Sequence, residues 1–133
     1  MTQDTIKTTL RKKGLKVTDS RMMLFGILEK SGCDPQTADE IHKISKLDKV
    51  TVYRTLESFV EAGLVQQVEF RDGVARYEIK HGHHHHVLCT KCGAIADVGD
   101  CLEEAGVKSF EKKTGFTIAS HALEFFGICR KCR

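Results

Sequence analysis

No apolar run in this 133-residue chain reaches the ~18 residues that a membrane-spanning helix needs. Its first residues, Met1-Thr2-Gln3-Asp4, lack the apolar core of a secretory signal, so neither a membrane partner nor export is expected. Strong charge of one sign is missing too. The net charge is only +3, too small by itself to argue for nucleic-acid binding. Its distribution says more: Lys7, Arg11, Lys12, Lys13, Lys16 and Arg21 crowd the N-terminal stretch, while acidic residues concentrate later. Length is also short. The chain can form one domain or two small ones, and two would each be marginal without a metal to staple them.

Metal ligands, by contrast, are plentiful. Six cysteines in a chain with no export signal read as ligands and buried thiols rather than disulfides. Four of them form two CxxC pairs, Cys89/Cys92 and Cys129/Cys132. Two such knuckles can converge as a tetrahedron of thiolates, the arrangement of closed structural Zn(II) sites. A redox CxxC stands alone after a strand, so the pairing argues against that chemistry; an iron site of four sulfurs is the other metal reading. Cys33 and Cys101 stand alone and read as small buried hydrophobes. Just ahead of the first knuckle runs His81-Gly82-His83-His84-His85-His86. Imidazoles with nearby carboxylates form a harder ligand set, suited to exchangeable first-row metals. The run is internal and leads directly into a cysteine ligand, which argues against a purification tag.

The first half reads as short helices. Ile6 and Leu10 begin an amphipathic segment that Gly14 ends. Thr18-Asp19-Ser20 offers caps for a second helix with Met23, Ile27 and Leu28 inward and Gly32 at its end. Thr37-Ala38-Asp39-Glu40 has capping-box spacing, with Ile41 and Ile44 on one face. Asp48 caps a stronger helix in which Val52, Leu56, Phe59 and Val60 share a face and Gly63 supplies the terminator. The opposite face carries Thr51, Tyr53, Arg54 and Ser58. A hairpin follows: Leu64 to Phe70, the turn Arg71-Asp72-Gly73, then Val74 to Ile79. Helices followed by a two-stranded ribbon predict a winged helix-turn-helix, whose last helix is placed to enter a DNA major groove. A polar helix face is also what ordinary solvation produces, and a small helical domain that binds protein is the plainer alternative.

The motifs Val50-Thr51-Val52-Tyr53-Arg54-Thr55-Leu56, Glu61-Ala62-Gly63-Leu64-Val65, Arg76-Tyr77-Glu78, His83-His84-His85-His86-Val87-Leu88-Cys89-Thr90-Lys91-Cys92-Gly93 and Gly127-Ile128-Cys129-Arg130-Lys131-Cys132 occur in that order. Together they resemble the ferric-uptake-regulator (Fur) superfamily, from about Leu15 to the C-terminus. The resemblance implies an α+β protein: a winged-helix DNA-binding domain over residues 1–80, then an α/β metal-binding dimerisation domain with a four-cysteine zinc site over 81–133. It implies a cytoplasmic bacterial repressor that binds palindromic operator DNA as a metal-loaded homodimer and controls metal-homeostasis genes. By similarity, Thr51, Tyr53 and Arg54 face DNA, and Glu78, His84, His86 and Asp97 hold the regulatory metal. His83, His85, Glu104 and His121 would form a second site. Strand alternation gives the division of the histidines a physical basis, since 84 and 86 face one way and 83 and 85 the other. The plain alternative for Glu104 and His121 is surface polarity. These mixed ligand sets fit Fe(II), Mn(II) or Zn(II).

Two departures from the family pattern stand out. Where the family usually supplies a DNA-domain histidine, this chain has Pro35; Cys33 or Asp34 substitutes, or the hinge site lacks that ligand. The segment from His42 to Lys49 is also short. Asp97 resembles the peroxide-sensing branch, whereas Arg54 resembles the iron- and zinc-responsive branches. Fixing the wing to the second domain through a metal beside Lys80-His81-Gly82 would favour the DNA-competent state. The rival of another class is a small zinc enzyme using Glu78, His84 and His86 as ligands, and a metal-binding module for protein contact is a further one.

Overall fold

The computed structural model describes residues 2–32, 34–80, 85–98, 104–119, 121 and 123–133, with the backbone alone described at 104 and 105. Cys33, His81, Gly82, His83, His84 and Cys101 therefore lie outside the described residues. The protein is α+β, and its chain divides into two compact units, Met1–Lys80 and His81–Arg133.

The first unit opens with α1 (Gln3–Lys12), α2 (Asp19–Ser31), β1 (Gln36–Thr37), α3 (Ala38–Ser45) and α4 (Lys49–Glu61). Each helix starts at a side chain that accepts from an otherwise orphaned backbone N–H: Thr2 from Thr5, Thr18 from Arg21, Thr37 from Glu40 and Asp48 from Thr51. Thr37 is the cap that also ends β1, so Thr37→Ala should cost about 1 kcal/mol, read as a lowered denaturation midpoint without loss of cooperativity. The chain leaves α4 through Gly63, at φ 74°, where an L side chain would be strained. It enters β2 (Val65–Glu69), which pairs antiparallel with β3 (Ala75–Ile79). β1 adds to the other side of β3, giving the order β1-β3-β2.

The core of this unit is one apolar cluster: Leu10, Leu24, Phe25, Leu28, Ile41, Val52, Leu56 and Phe59 have no exposed surface. Phe25 meets Phe59 edge-to-face at 6.2 Å between ring centroids. Three inward assignments made from periodicity are corrected here. Met23 is 46% exposed, Ile44 59% and Val60 36%. In α2 Leu28 is buried as expected and Ile27 packs partly against the core, while Leu24 and Phe25 take the place expected for Met23.

The second unit contains β4 (His85–Cys89), β5 (Ile95–Val98), α5 (Glu104–Thr114) and β6 (Glu124–Gly127). Its sheet has the order β5-β4-β6, with β5 antiparallel and β6 parallel to the central strand. Among the described residues, no helix is long and apolar enough to cross a membrane.

Candidate metal centre and nucleic-acid interface

Parallel pairing sets Cys89, the last residue of β4, opposite Gly127, the last residue of β6. Each strand runs straight into its CxxC knuckle, so the two knuckles emerge at the same end of the sheet. Thr90 reinforces the junction, donating from both its backbone N–H and its hydroxyl to the Gly127 carbonyl. Gly93, at φ 79°, closes the first knuckle by donating to the Cys89 carbonyl.

The ligand atoms of Cys89, Cys92, Cys129 and Cys132 consequently lie within 4.8 Å of one another. Cys92 Sγ and Cys129 Sγ are 3.7 Å apart. A tetrahedron with Zn–S bonds of about 2.3 Å has sulfur–sulfur edges of ~3.8 Å, so the cluster fits a structural zinc ion. Backbone N–H groups of Cys92 and Cys129 donate to Cys89 Sγ at 3.5 and 3.3 Å, and they hold its pKa down to about 6. Sharing hydrogen bonds with the neighbouring Cys129 and Cys92 sulfurs pushes the Cys132 thiol up to about 12. Four thiolates this close repel one another, and a divalent cation is what lets all four ionise.

The other expected ligands are placed unevenly. His85 and His121 come together, with Nε2 atoms 3.3 Å apart and ring centroids 5.3 Å apart. Of their expected companions, His83 lies outside the described residues, as does the Glu104 side chain. His86 is buried on the central strand, directly opposite Asp97 on β5, so both side chains occupy one face of the sheet. Glu78, on β3, is 1% exposed and accepts from Gln66 Nε2 at 2.6 Å. His84 lies outside the described residues. Among those described, the four cysteines are the group that gathers three or more metal-ligating atoms.

Sequence reasoning missed two companions. Gln66 faces Glu78 across the hairpin, a partnership that follows once the register is known. Glu124 faces His86 from β6, opposite Asp97. The available signal was the short Glu-Phe-Phe-Gly stretch before the second knuckle, but a four-residue strand gives periodicity little to work with.

On α4, Val52, Thr55, Leu56 and Phe59 face the core while Tyr53 and Arg54 are exposed. The Thr51 hydroxyl donates to Asp48 Oδ1 at 2.6 Å, which ties it into the helix cap. Among the described residues Arg54 makes no ion pair or side-chain hydrogen bond. Its guanidinium therefore stands ready on the solvent face.

The sequence pattern of the ferric uptake regulator family matches residues 12–126. The chain belongs to that family. It is a family of transcription regulators, and the chain is a metal-responsive transcriptional regulator of this kind. It is 32% identical over 130 residues to the ferric uptake regulation protein of Neisseria gonorrhoeae, covering 93% of this chain and 90% of that one. With the ferric uptake regulation protein of Bacillus subtilis it shares 34% over 138 residues, covering 97% and 93%. The Helicobacter pylori ferric uptake regulator, described with three functional metal-binding sites, superposes with a TM-score of 0.81 at 27% identity, covering 99% and 94%. Solved structures of similar chains include one with iron from Francisella tularensis, one with manganese from Pseudomonas aeruginosa and a zinc-bound manganese uptake regulator. These are 26, 26 and 30% identical with TM-scores of 0.75, 0.71 and 0.72, each covering at least 90% of this chain.

Proposed function

We propose that the protein is a homodimeric repressor, acting in the bacterial cytoplasm, that binds palindromic operator DNA when a regulatory metal is loaded. The observation that carries this reading is the combination in one short chain of an exposed Tyr53/Arg54 face on the helix before a wing and a cluster of four thiols that fits zinc. Iron, manganese or zinc fills the regulatory role, in keeping with the metals described for similar solved chains.

The roles divide as follows. Cys89, Cys92, Cys129 and Cys132 hold a permanent Zn(II). Glu78, His84, His86 and Asp97 hold the regulatory metal, and His83, His85, Glu104 and His121 a second one. The approach of His85 to His121 and the cross-strand pairing of His86 with Asp97 support these groupings. Dimerisation is supported by apolar surface on the second unit: Phe110, Phe125, Phe126 and Ile128 are 41–50% exposed.

Arg54 reads a guanine edge in the major groove, Tyr53 contacts a phosphate or thymine methyl, and Thr51 lies near a phosphate at the helix start. Arg11, Lys12 and Lys13 add salt-sensitive attraction that is indifferent to sequence. Gel shifts with and without added Fe(II), Mn(II) or Zn(II), on duplexes selected from a random pool, test the whole reading: metal-independent binding or none at all would refute it. Within that assay Arg54→Ala should cost about 1–3 kcal/mol per half-site and relax specificity at one base position. An equal loss on selected and scrambled duplexes would reduce Arg54 to a backbone anchor.

A further inference from the structure

Along α2 the residues Asp19, Met22, Met23, Gly26, Ile27 and Lys30 follow one another at spacings of three, one, three, one and three, so they form a single stripe. The stripe lies on the side of the helix away from Leu24, Phe25 and Leu28, which are buried in the core. Met23 is 46% exposed, and Asp19 and Lys30 are exposed too. Ile6 and Lys7 of α1 and Ile44 of α3 line the same groove.

Gly26, at the middle of this face, has no local reason to be glycine. It does not adopt positive φ, and a Cβ there would meet nothing within 4 Å. Glycine weakens a helix interior relative to alanine, so its presence over open space points to something that approaches closely from outside.

The stripe is complementary to its own reverse. Laid antiparallel about a two-fold axis between Met23 and Gly26, Asp19 meets Lys30 of a second copy, Met22 meets Ile27, and Met23 meets Gly26. Each pair recurs by symmetry. The flexible Met23 side chain fills the space above glycine, and the charges close both ends, ~16 Å apart along the helix. A parallel arrangement would set Asp19 on Asp19 and Lys30 on Lys30, so the charges also fix the direction. One helix face of 13 residues falls short of the ~1,600 Å² buried by standard interfaces, so the contact is reversible. It leaves Tyr53 and Arg54 uncovered, because α4 packs on the core-facing side of α2, where Phe25 meets Phe59.

We propose that the outer face of α2 docks on the same face of a second copy, antiparallel, with Met23 of each copy seated over Gly26 of the other. This contact is separate from any dimer held by the second unit and independent of the metal and DNA readings.

Sedimentation velocity of the full-length protein over a range of concentrations tests it. A dimer held by the second unit forms the baseline in every variant, and the parent should show a further reversible association step above it. Gly26→Ala should weaken that step about tenfold, because its methyl group takes the space that Met23 of the other copy fills. Measured at low concentration, the same variant should melt a few degrees higher, since alanine favours the helix and meets no neighbour. Asp19→Lys and Lys30→Glu should each abolish the step by setting like charges face to face. Mixed together, these two variants should associate again, because each then carries the complement of the other at both ends. A merely unstable variant would not recover in this way. A parent that shows no further association step would overturn the proposal. So would parental association by Gly26→Ala, or charge variants that stay apart on mixing. A lower melting temperature for Gly26→Ala would show the face already packed within one molecule, and the proposal would fall.

Discussion

Cys132→Ser should yield a protein without tightly held zinc and with its second unit unfolded, while the first unit keeps its helices. The expectation follows from how little apolar surface the second unit buries. Among its described residues, Leu88 and Cys89 are the buried hydrophobic ones, whereas Phe110, Phe116, Phe125, Phe126 and Ile128 are exposed, Phe116 by 73%. A unit spanning only His81–Arg133 lies in the size range where a core alone seldom suffices. Zinc binding to four thiolates releases on the order of 10–16 kcal/mol, far more than such a core supplies, so binding and folding are one event. Removing one sulfur leaves three ligands and an open position, a weaker and exchangeable site. Metal analysis after gel filtration, together with far-UV circular dichroism, reads both consequences. A Cys132→Ser protein with full zinc content and an unchanged melting curve would sink the assignment.

Much of this centre was legible in the sequence because its signal is local. Two CxxC pairs fix two pairs of thiols whatever the fold does between them, and only their convergence needs tertiary structure. Strand pairing supplies it, by setting Cys89 beside Gly127 on adjacent parallel strands. The helix starts were legible for a similar reason. Thr18, Thr37 and Asp48 act within three residues of themselves, and each accepts the backbone bond that its position predicts.

What failed to show in the sequence depends on partners far along the chain. Periodicity turned Met23 and Ile44 inward because an apolar residue at helical spacing is counted as core. In α2 the buried positions include Leu24 and Phe25 instead of Met23, and Phe25 meets the ring of Phe59, 34 positions later. β1 is two residues long and exists only because β3 offers it an edge, with Gln36 opposite Tyr77 and Thr37 opposite Arg76. No propensity reveals a strand of that length. Gln66 beside Glu78 and Glu124 beside His86 are likewise products of register, and register is set by turn geometry and burial rather than by either residue alone. The family resemblance covered this gap for the proposed ligands but not for their neighbours.

His86→Ala should leave the structural zinc and the oligomeric state intact while abolishing metal-dependent DNA binding. His86 occupies the middle strand of its sheet, 4% exposed, with Asp97 across one strand pair and Glu124 across the other. Register alone sets His86 beside these carboxylates; the proposed regulatory set of Glu78, His84, His86 and Asp97 mixes nitrogen and oxygen donors of the kind that suit Fe(II), Mn(II) or Zn(II). Alanine removes one of the two nitrogen donors of that proposed set. To move a two-state protein from 1:99 to 99:1 in favour of its DNA-binding form, a metal must prefer that form by about 5.5 kcal/mol. Loss of one strong ligand takes away a large part of such a preference, so the switch should fail even where some metal still binds. Because His86 is buried, its replacement by alanine also leaves a small cavity, and a melting curve is needed to separate that effect from lost ligation. His86→Gln fills most of the space and offers a much weaker ligand; it should match alanine in the DNA assay and the parent in the melt. Titrating each variant with regulatory metal against a selected duplex reads the outcome directly. A His86→Ala protein that shifts DNA at the parent's metal concentration would remove this histidine from the switch, leaving the His85–His121 pair as the next ligands to test.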